Sequence, residues 1–287
     1  MLHKEFGLIS IIMAAYNAEK TIELAIESVL NQTYSNFELL VINDCSKDRT
    51  AKLVEAFSAK DNRVRLISNE KNCGVSFTRE HGLEEAKGAW IAVLDSDDAW
   101  APEKLEKQIE LQNRTNADLL FTGSAFMDSD GRPIDWYLHA PEEVTYRQLL
   151  KQNILSNSSA LVRKELYAKY YAVGDGMHED FAIWLSILKE GKKAYGVDEP
   201  LLIYRIAKSS KSGNKVKAAK MNWNTYRYIG LNPVEAAYYE GWYMIKNVIK
   251  YTNIKISGGG QDEVIYIASL DILIFPEQLH EEQLEAA

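Results

Sequence analysis

Cysteine is almost absent from this chain. Cys45 and Cys73 are the two present among 287 residues. They are too few for a disulfide framework and match no metal-binding spacing, so a reducing compartment is the expectation. Long apolar runs are also missing. No stretch reaches the roughly 18 residues that a membrane-spanning helix requires. The opening Met1-Leu2-His3-Lys4-Glu5 lacks the apolar core of a signal peptide. A cytoplasmic location follows as the expectation, with peripheral contact at the inner face of the cell membrane left open. Basic charge is in deficit, with a formal net charge of −8 and a pI near 5.3; no nucleic-acid partner is expected. Glycine-rich nucleotide loops are absent too. No G-x-G-x-x-G follows the first apolar run and no G-x-x-x-x-G-K-[ST] occurs, which argues against dinucleotide oxidoreductases and P-loop phosphotransferases.

What is present is ordinary in bulk and ordered in detail. Hydrophobic residues make up 46% and charged residues 26%, enough to bury a sizeable core. Leu8–Ala14 is apolar apart from Ser10 and short enough for a buried strand. Ile22, Ala25, Ile26, Val29 and Leu30 recur at helical spacing. The alternation continues with strands at 37–43, 64–67 and 90–94 and helices at 50–59 and 75–86. Pro102 opens a further helix, and another strand begins at Leu119. Such alternation predicts an α/β fold with a Rossmann-like, mostly parallel sheet flanked by helices.

Beyond residue 125 the pattern loosens. Asp128-Ser129-Asp130-Gly131-Arg132-Pro133 reads as a turn. Residues 157–162 read as a strand, 181–188 as a helix and 195–204 as extended. A long helical region rich in Tyr and Trp runs from about 215 to 251, and Gly258-Gly259-Gly260 breaks the chain. The implied division is 1–205, with halves at about 1–98 and 99–205, then a helical extension at 206–257. Residues 258–287 have no assigned role.

In open parallel sheets ligands bind beyond the carboxyl ends of the strands. There the sequence places Tyr16-Asn17, Asn43-Asp44, Ser68-Asn69 and Asp95-Ser96-Asp97-Asp98. Three carboxylates within four residues repel one another unless a cation or hydrogen bonds compensate. Hard oxygen ligands beside phosphates suit Mg²⁺ or Mn²⁺; the plain alternative is an acidic loop that caps a helix. Asp44 has two readings, a partner for a nucleobase or ribose and a helix N-cap. Asn72-Cys73-Gly74 opens the third helix, where Gly74 permits close backbone approach. Arg79 is placed to meet a phosphate or carboxylate. Asp180, before the apolar Phe181–Leu188 run, reads as a cap when taken alone.

Arg205, Lys208, Lys211, Lys215, Lys217 and Lys220 follow with no acidic residue between them. They read as a phosphate-contacting lid carrying Ser209, Ser210, Ser212 and Gly213, or as a solvated surface run. The aromatics after them read as helix packing or as an interfacial membrane face.

Taken in order, these pieces resemble a known pattern. Ser10 through Asn17, Ser28-Val29-Leu30-Asn31-Gln32-Thr33-Tyr34, Val41 through Ser46, Asn72 through Arg79, Leu94 through Asp98, and His178-Glu179-Asp180-Phe181 with Trp184 are similar to family 2 inverting glycosyltransferases of GT-A fold. The likeness extends to bacterial enzymes of surface-polysaccharide or teichuronic-acid assembly. It covers roughly residues 8 to 205. It implies a nucleotide-diphosphate sugar donor, most simply a UDP-sugar, a saccharide or lipid-linked saccharide acceptor, and Mg²⁺ or Mn²⁺ as cofactor. Ala14, Tyr16 and Asn17 would line the nucleotide pocket, with Glu19 close by. Asp44 would hold the uracil or ribose, and Asn72, Gly74 and Arg79 would lie near the donor. Asp95, Ser96 and Asp97 would face the diphosphate, with Asp97 the direct metal ligand, Asp95 its partner and Asp98 a helper. Asp180 would be the catalytic base. Ala14 stands where many relatives have Pro or Thr, so that contact would be through backbone. Cys45 departs from the usual Gly or polar residue. No Q-x-x-R-W motif of processive relatives is present, which implies one sugar per encounter. The competing reading on this fold is a nucleotide-sugar-binding or sugar nucleotidyltransferase-like protein. The latter would carry a glycine-rich loop where this chain has Ala14-Ala15-Tyr16-Asn17.

Overall fold

The computed structural model describes residues 6–171, 174, 176–206 and 215–251. In chain order the elements are β1 (Ile9–Ala15), α1 (Ile22–Leu30), β2 (Phe37–Asn43), α2 (Thr50–Ser58), β3 (Val64–Ser68), α3 (Val75–Glu85), β4 (Trp90–Val93) and β5 (Ala99–Trp100). There follow α4 (Lys104–Thr115), β6 (Leu119–Met127), β7 (Pro133–Leu138), β8 (Glu143–Val144) and α5 (Tyr146–Lys151). A 3-10 turn (Asn157–Ser159), β9 (Leu161–Arg163), α6 (Lys164–Tyr170), α7 (Glu179–Lys189), β10 (Ala194–Arg205), α8 (Lys215–Tyr228) and α9 (Pro233–Tyr251) complete it.

One sheet of 10 strands runs in the order β3-β2-β1-β4-β9-β6-β10-β5, with β7 on β6 and β8 on β10. The first four strands are parallel, in register from Ile9 opposite Phe37 and Trp90. β9 then runs antiparallel to both β4 and β6, and β10 returns parallel to β6. The sheet is therefore mixed beyond β4. The sequence missed β5, β7 and β8, which are short or half-exposed and carry too few side chains to show a period.

β1 and β2 are buried on both faces, which is why they read as continuous apolar runs. Successive residues feed two cores. Ile9, Ile11 and Met13 pack with Ile22, Ile26 and Val54 from α1 and α2. Ile12, Leu40 and Ile42 pack on the other face with Leu83 of α3, in a core that also holds Trp184 of α7 and Tyr226 of α8.

Three expectations need correction. The helix assigned to Pro102 begins at Lys104, since Pro102 sits in the turn, where its carbonyl accepts from the Thr33 N–H at 3.0 Å. Residues 157–162 are a 3-10 turn followed by a strand, because Ser159 donates back to the Ser156 carbonyl at 2.7 Å. The long aromatic helix is two helices. Gly230, at φ 89°, closes α8. Asn232 then caps α9, accepting from the Val234 and Glu235 N–H groups at 3.0 Å, with Pro233 at the first helical position. Of the lid, Lys208, Ser209, Ser210, Lys211, Ser212 and Gly213 lie outside the described residues, as does 258–287.

Ser10, the polar residue inside β1, is explained by a buried network. Its hydroxyl donates to Glu38 at 2.7 Å and accepts from the Gly88 N–H at 2.8 Å. A Cβ at Gly88 would meet the Leu8 carbonyl at 2.5 Å and the Ser10 nitrogen at 2.7 Å, both backbone atoms that cannot swing away. Gly88→Ala is expected to destabilise the fold by about 2 kcal/mol or more, read as a lower urea midpoint. An unchanged midpoint would show that β1 and β4 can separate here without cost.

Candidate active site

The loops at the carboxyl ends of β1 and β2 are laced together by their own polar groups. Asn17, held at φ 51°, accepts from the Lys47 N–H at 2.8 Å, while its own N–H donates to Ser46 Oγ at 3.0 Å. The Ala18 N–H reaches Thr50 Oγ1 at 2.8 Å and the Glu19 N–H reaches Asp48 at 3.0 Å. Glu19 in turn pairs with Arg49 at 3.1 Å. Asn17 and Glu19 thus shape the loop. Tyr16 is left 51% exposed on it, an aromatic face at the mouth of the sheet beside the half-buried Ala14. Asp48 and Thr50 do work the sequence reading did not foresee. The Asp48 carboxylate accepts from the Thr50 N–H at 2.9 Å at the start of α2, so it, rather than Asp44, opens that helix.

Asp44 is turned inward. Its carboxylate accepts from the Cys73 N–H at 2.8 Å, the Gly74 N–H at 2.9 Å and Asn69 Nδ2 at 2.9 Å, and the side chain is buried. Asn72 donates to the Asp44 carbonyl at 3.2 Å. Burial raises the Asp44 pKa, but the Cys73 N–H, the Asn69 amide and the Gly74 N–H outweigh it and hold it below the ordinary value. The carboxylate expected to hold a uracil or ribose is therefore engaged within the protein, anchoring the entry to α3. Gly74 supports it at φ 85°, where a side chain would be strained.

The acidic loop after β4 is held from three sides. The Asp95 N–H donates to Ser158 Oγ at 3.2 Å, and Arg205 Nε donates to the Asp97 carbonyl at 2.9 Å. The Arg205 N–H donates to the Asp98 carboxylate at 3.0 Å. Arg205 is 8% exposed, so it belongs beneath the loop and not to a surface basic lid. Ser158 and Arg205 escaped the sequence reading in this role because nothing local marks them.

The third hold is Arg79. Its guanidinium donates to both Asp95 and Glu179 and is itself buried. Arg79 was expected beside the donor; the carboxylates it meets belong to the protein. Burial opposes its charge, yet Asp95 and Glu179 hold its pKa well above the ordinary arginine value. Glu179 was legible only as the neighbour of Asp180.

What remains unneutralised is informative. Asp97 is half-buried, and burial followed by repulsion from Asp95 raises its pKa. Asp98 is raised further, by burial and then by Asp95 and Asp97, and its Oδ2 has no partner. Among the described residues no three His, Cys, Asp or Glu side chains form a complete metal cage. With Asp95 held by Arg79, Asp97 is the carboxylate that could ligate a cation. That donor set fits a hard cation bound through one or two carboxylates, with phosphate oxygens and water completing its shell. Ser96 lies half-buried between Asp95 and Asp97.

Asp180 sits in the first turn of α7, with His178 at the cap position, so it is not itself the N-cap. The His178 N–H is tied to Thr225 Oγ1 of α8 at 3.1 Å. Neighbours one apart on a helix point about 100° apart. Glu179 therefore turns to Arg79 while Asp180, among the described residues, makes no ion pair with lysine or arginine. Burial raises its pKa foremost, with His178 and the Phe181 N–H pulling the other way.

This geometry can be set beside known proteins. Residues 10–170 match the model of glycosyl transferase family 2. A Bacillus subtilis protein, named as the teichuronic acid biosynthesis glycosyltransferase TuaG, is 39% identical over 77% of this chain and 88% of its own length. An Escherichia coli protein named UDP-Glc:alpha-D-GlcNAc-diphosphoundecaprenol beta-1,3-glucosyltransferase WfgD is 36% identical over 85% of this chain and 95% of its own. Among solved structures, S. aureus TarS 1–349 in complex with UDP-GlcNAc superposes with a TM-score of 0.66 at 20% identity, covering 84% of this chain and 72% of that one. A Pyrobaculum calidifontis mannosyltransferase in complex with GDP-Man and Mn²⁺ gives 0.62 at 15% identity, over 82% and 68%. The class is thus a glycosyltransferase of GT-A fold. The chain belongs to glycosyl transferase family 2.

Asp44→Ala is expected to cost about 2–3 kcal/mol at about pH 7, since three buried donors lose their acceptor. Because the folded pKa of Asp44 is lowered, its contribution is whole above the unfolded value near 3.8 and is lost as pH falls through the folded value. The stability gap between wild type and variant, read from urea melts, should therefore close in acid. A gap that persists to about pH 2 would mean the charge on Asp44 does not hold the loop.

Proposed function

We propose that the protein transfers a sugar from a nucleotide-diphosphate donor, a UDP-sugar, to an acceptor hydroxyl on a lipid-linked saccharide, with inversion and with Mg²⁺ or Mn²⁺. The pathway class is cell-surface polysaccharide assembly, in keeping with the names of its relatives. The observation that carries the reading is the Arg79 bridge. One buried cation ties Asp95 of the acidic loop to Glu179 of α7 and so brings Asp97 and Asp180, residues from distant parts of the chain, to one end of the sheet.

The chemistry divides between those two aspartates. The Asp180 carboxylate takes the proton from the acceptor hydroxyl as its oxygen forms a bond to the anomeric carbon. The bond from that carbon to the β-phosphate oxygen breaks, and the nucleoside diphosphate leaves with the electron pair. A raised proton affinity at Asp180 suits a base that must pull on a weakly acidic hydroxyl. A divalent cation held by Asp97, with Asp95 alongside, would supply charge stabilisation to the departing diphosphate. Tyr16 offers a face for the base. The Asn17 and Gly74 amides are already bonded to Ser46 and Asp44, so these residues contribute by fixing the loops that would border the donor.

The binding-only and nucleotidyltransferase alternatives leave Asp180 without work, so it is the residue to test. Asp180→Asn is expected to lower kcat about 10²–10⁴-fold while donor affinity, read by calorimetry with Mn²⁺, changes little. Asp97→Asn should weaken donor binding in Mn²⁺ and remove the effect of chelator. Full turnover by Asp180→Asn, or transfer indifferent to chelator in the wild type, would sink this assignment.

A further inference from the structure

The aromatic residues of the C-terminal helices divide into two sets. Tyr226, Tyr239 and Tyr243 pack inward, with the Tyr226 hydroxyl donating to the Leu150 carbonyl at 2.7 Å and Tyr243 5.8 Å from the Phe181 ring. The other set faces out. Val234 is 79% exposed, Tyr238 55%, Trp242 37% and Ile245 50%. Their spacing of four, four and three residues puts them in one stripe along α9. On the opposite side Ala236 is fully buried and anchors the helix to the core. α9 is therefore amphipathic in an unusual sense. Its inner face is satisfied by the protein, and its outer face is a second apolar surface with Tyr and Trp at its middle.

The charge around this stripe decides what it fits. α5 and α8 carry Arg147, Lys151, Lys215, Lys217, Lys220 and Arg227 and no acidic residue, in a chain of net charge −8. Lys151 lies over the Trp242 ring, 5.2 Å from its centroid. The two helices packed against α9 thus carry six basic and no acidic residues, while α9 itself carries Glu235, Glu240, Lys246 and Lys250. A soluble protein partner of ordinary composition needs no such pairing. An anionic bilayer does, since Trp and Tyr settle at the headgroup level and each nearby lysine or arginine adds attraction. No helix among the described residues is long and apolar enough to cross a membrane, so the contact is with a surface.

We propose that the layer formed by α5, α8 and α9 seats the protein on anionic membrane, with Val234, Tyr238, Trp242 and Ile245 entering the interface. This rests on the reading that the acceptor is lipid-linked, and it explains how a chain whose described helices do not span the bilayer meets such an acceptor. The layer is joined to the catalytic end of the sheet through His178 and Thr225, so docking would hold Asp180 in a fixed relation to the bilayer surface.

The full chain should co-sediment with vesicles of phosphatidylethanolamine containing about 30% phosphatidylglycerol, and less with vesicles of phosphatidylcholine alone or in high salt. The double substitution Tyr238→Ser and Trp242→Ser should weaken vesicle binding by roughly tenfold or more. It should leave turnover of a short soluble acceptor unchanged, since both side chains lie outside the catalytic end, with the fold checked by a cooperative thermal transition at a modestly lower midpoint, since Trp242 is only 37% exposed. Lys151→Glu should weaken binding as well and flatten its salt dependence, since it removes attraction that salt would screen. Three results would overturn the proposal: no binding to anionic vesicles at low salt, binding that the double variant leaves intact, or a wild-type dimer in solution that the double variant converts to monomer. The last would assign the stripe to a second copy of this chain. Loss of soluble-acceptor turnover by the wild type would instead count against the transfer reading, and vesicle binding is scored independently of it.

Discussion

A guanidinium buried between two carboxylates holds the acidic loop after β4 to α7, and much of the surrounding geometry follows from its cost. Taking a single charge out of water costs several kcal/mol even after relaxation, and attraction repays this only when geometry and hydrogen bonding are good. Arg79 meets that condition by donating to Asp95 and Glu179 at once. A lysine offers a compact charge without a planar fork and would not span two carboxylates in the same way. The one unmet donor is Arg79 Nε, so the arrangement is nearly but not wholly satisfied. Removing either carboxylate would leave the charge half-compensated in the interior, which makes the bridge a constraint on both elements it joins.

Those elements are the loop after β4 and the first turn of α7, and Arg79, on α3, lies 100 residues from its Glu179 partner. Everything else at this end serves to hold still what the bridge has brought together. Ser158 and Arg205 fix the backbone of the acidic loop, and Asp44 fixes the entry to α3, the helix that carries Arg79. The loops after β1 and β2 fix one another through Asn17, Asp48 and Thr50. Most of the polar groups at the strand ends thus bond to the protein itself. This is what preorganisation requires, since a site whose supports are loose loses its geometry before it loses its residues. Tyr16 and Asp97 stand out as groups left exposed or uncompensated within that frame.

How far this was legible in the sequence depends on the range of the interaction that decides each feature. β1 and β2 are buried on both faces, so their apolar runs announced them almost to the residue. α1 announced itself through Ile22, Ala25, Ile26 and Val29, all buried. β7 and β10 did not read so clearly. β7 is half-exposed at a sheet margin, and β10 shifts register around Pro200 to stay paired with β6. The break between α8 and α9 was written in Gly230 and in the Asn232-Pro233-Val234-Glu235 start signal, inside a run whose aromatic spacing is helical on both sides of it. At the site, the residue types pointed to carboxylate and phosphate chemistry, but their partners were hidden. Nothing near Arg79 in sequence distinguishes a donor phosphate from Glu179 as its partner, and nothing near Asp44 marks the amides of Cys73 and Gly74. Local pattern identifies what a group can bind, and tertiary contact decides whether that capacity is already spent.

Glu179 and Asp180 show the consequence in two adjacent residues. Both are acids at the start of the same helix, in a field that favours negative charge there. A one-residue step turns one of them into Arg79, where its charge is matched, and leaves the other, among the described residues, without an ion pair to lysine or arginine, though Arg79 and His178 still attract it. The matched acid is a structural counter-ion that holds the helix to the acidic loop. The other acid is raised by burial, with His178 pulling the other way, which under the proposed transfer suits a base accepting a hydroxyl proton. If Arg79 paired with Asp180 instead, the carboxylate would be stabilised as an anion and would be a poorer base. The division of labour between the two acids therefore requires no special residue. It follows from the helical turn between neighbours and from the single buried cation that one of them can reach.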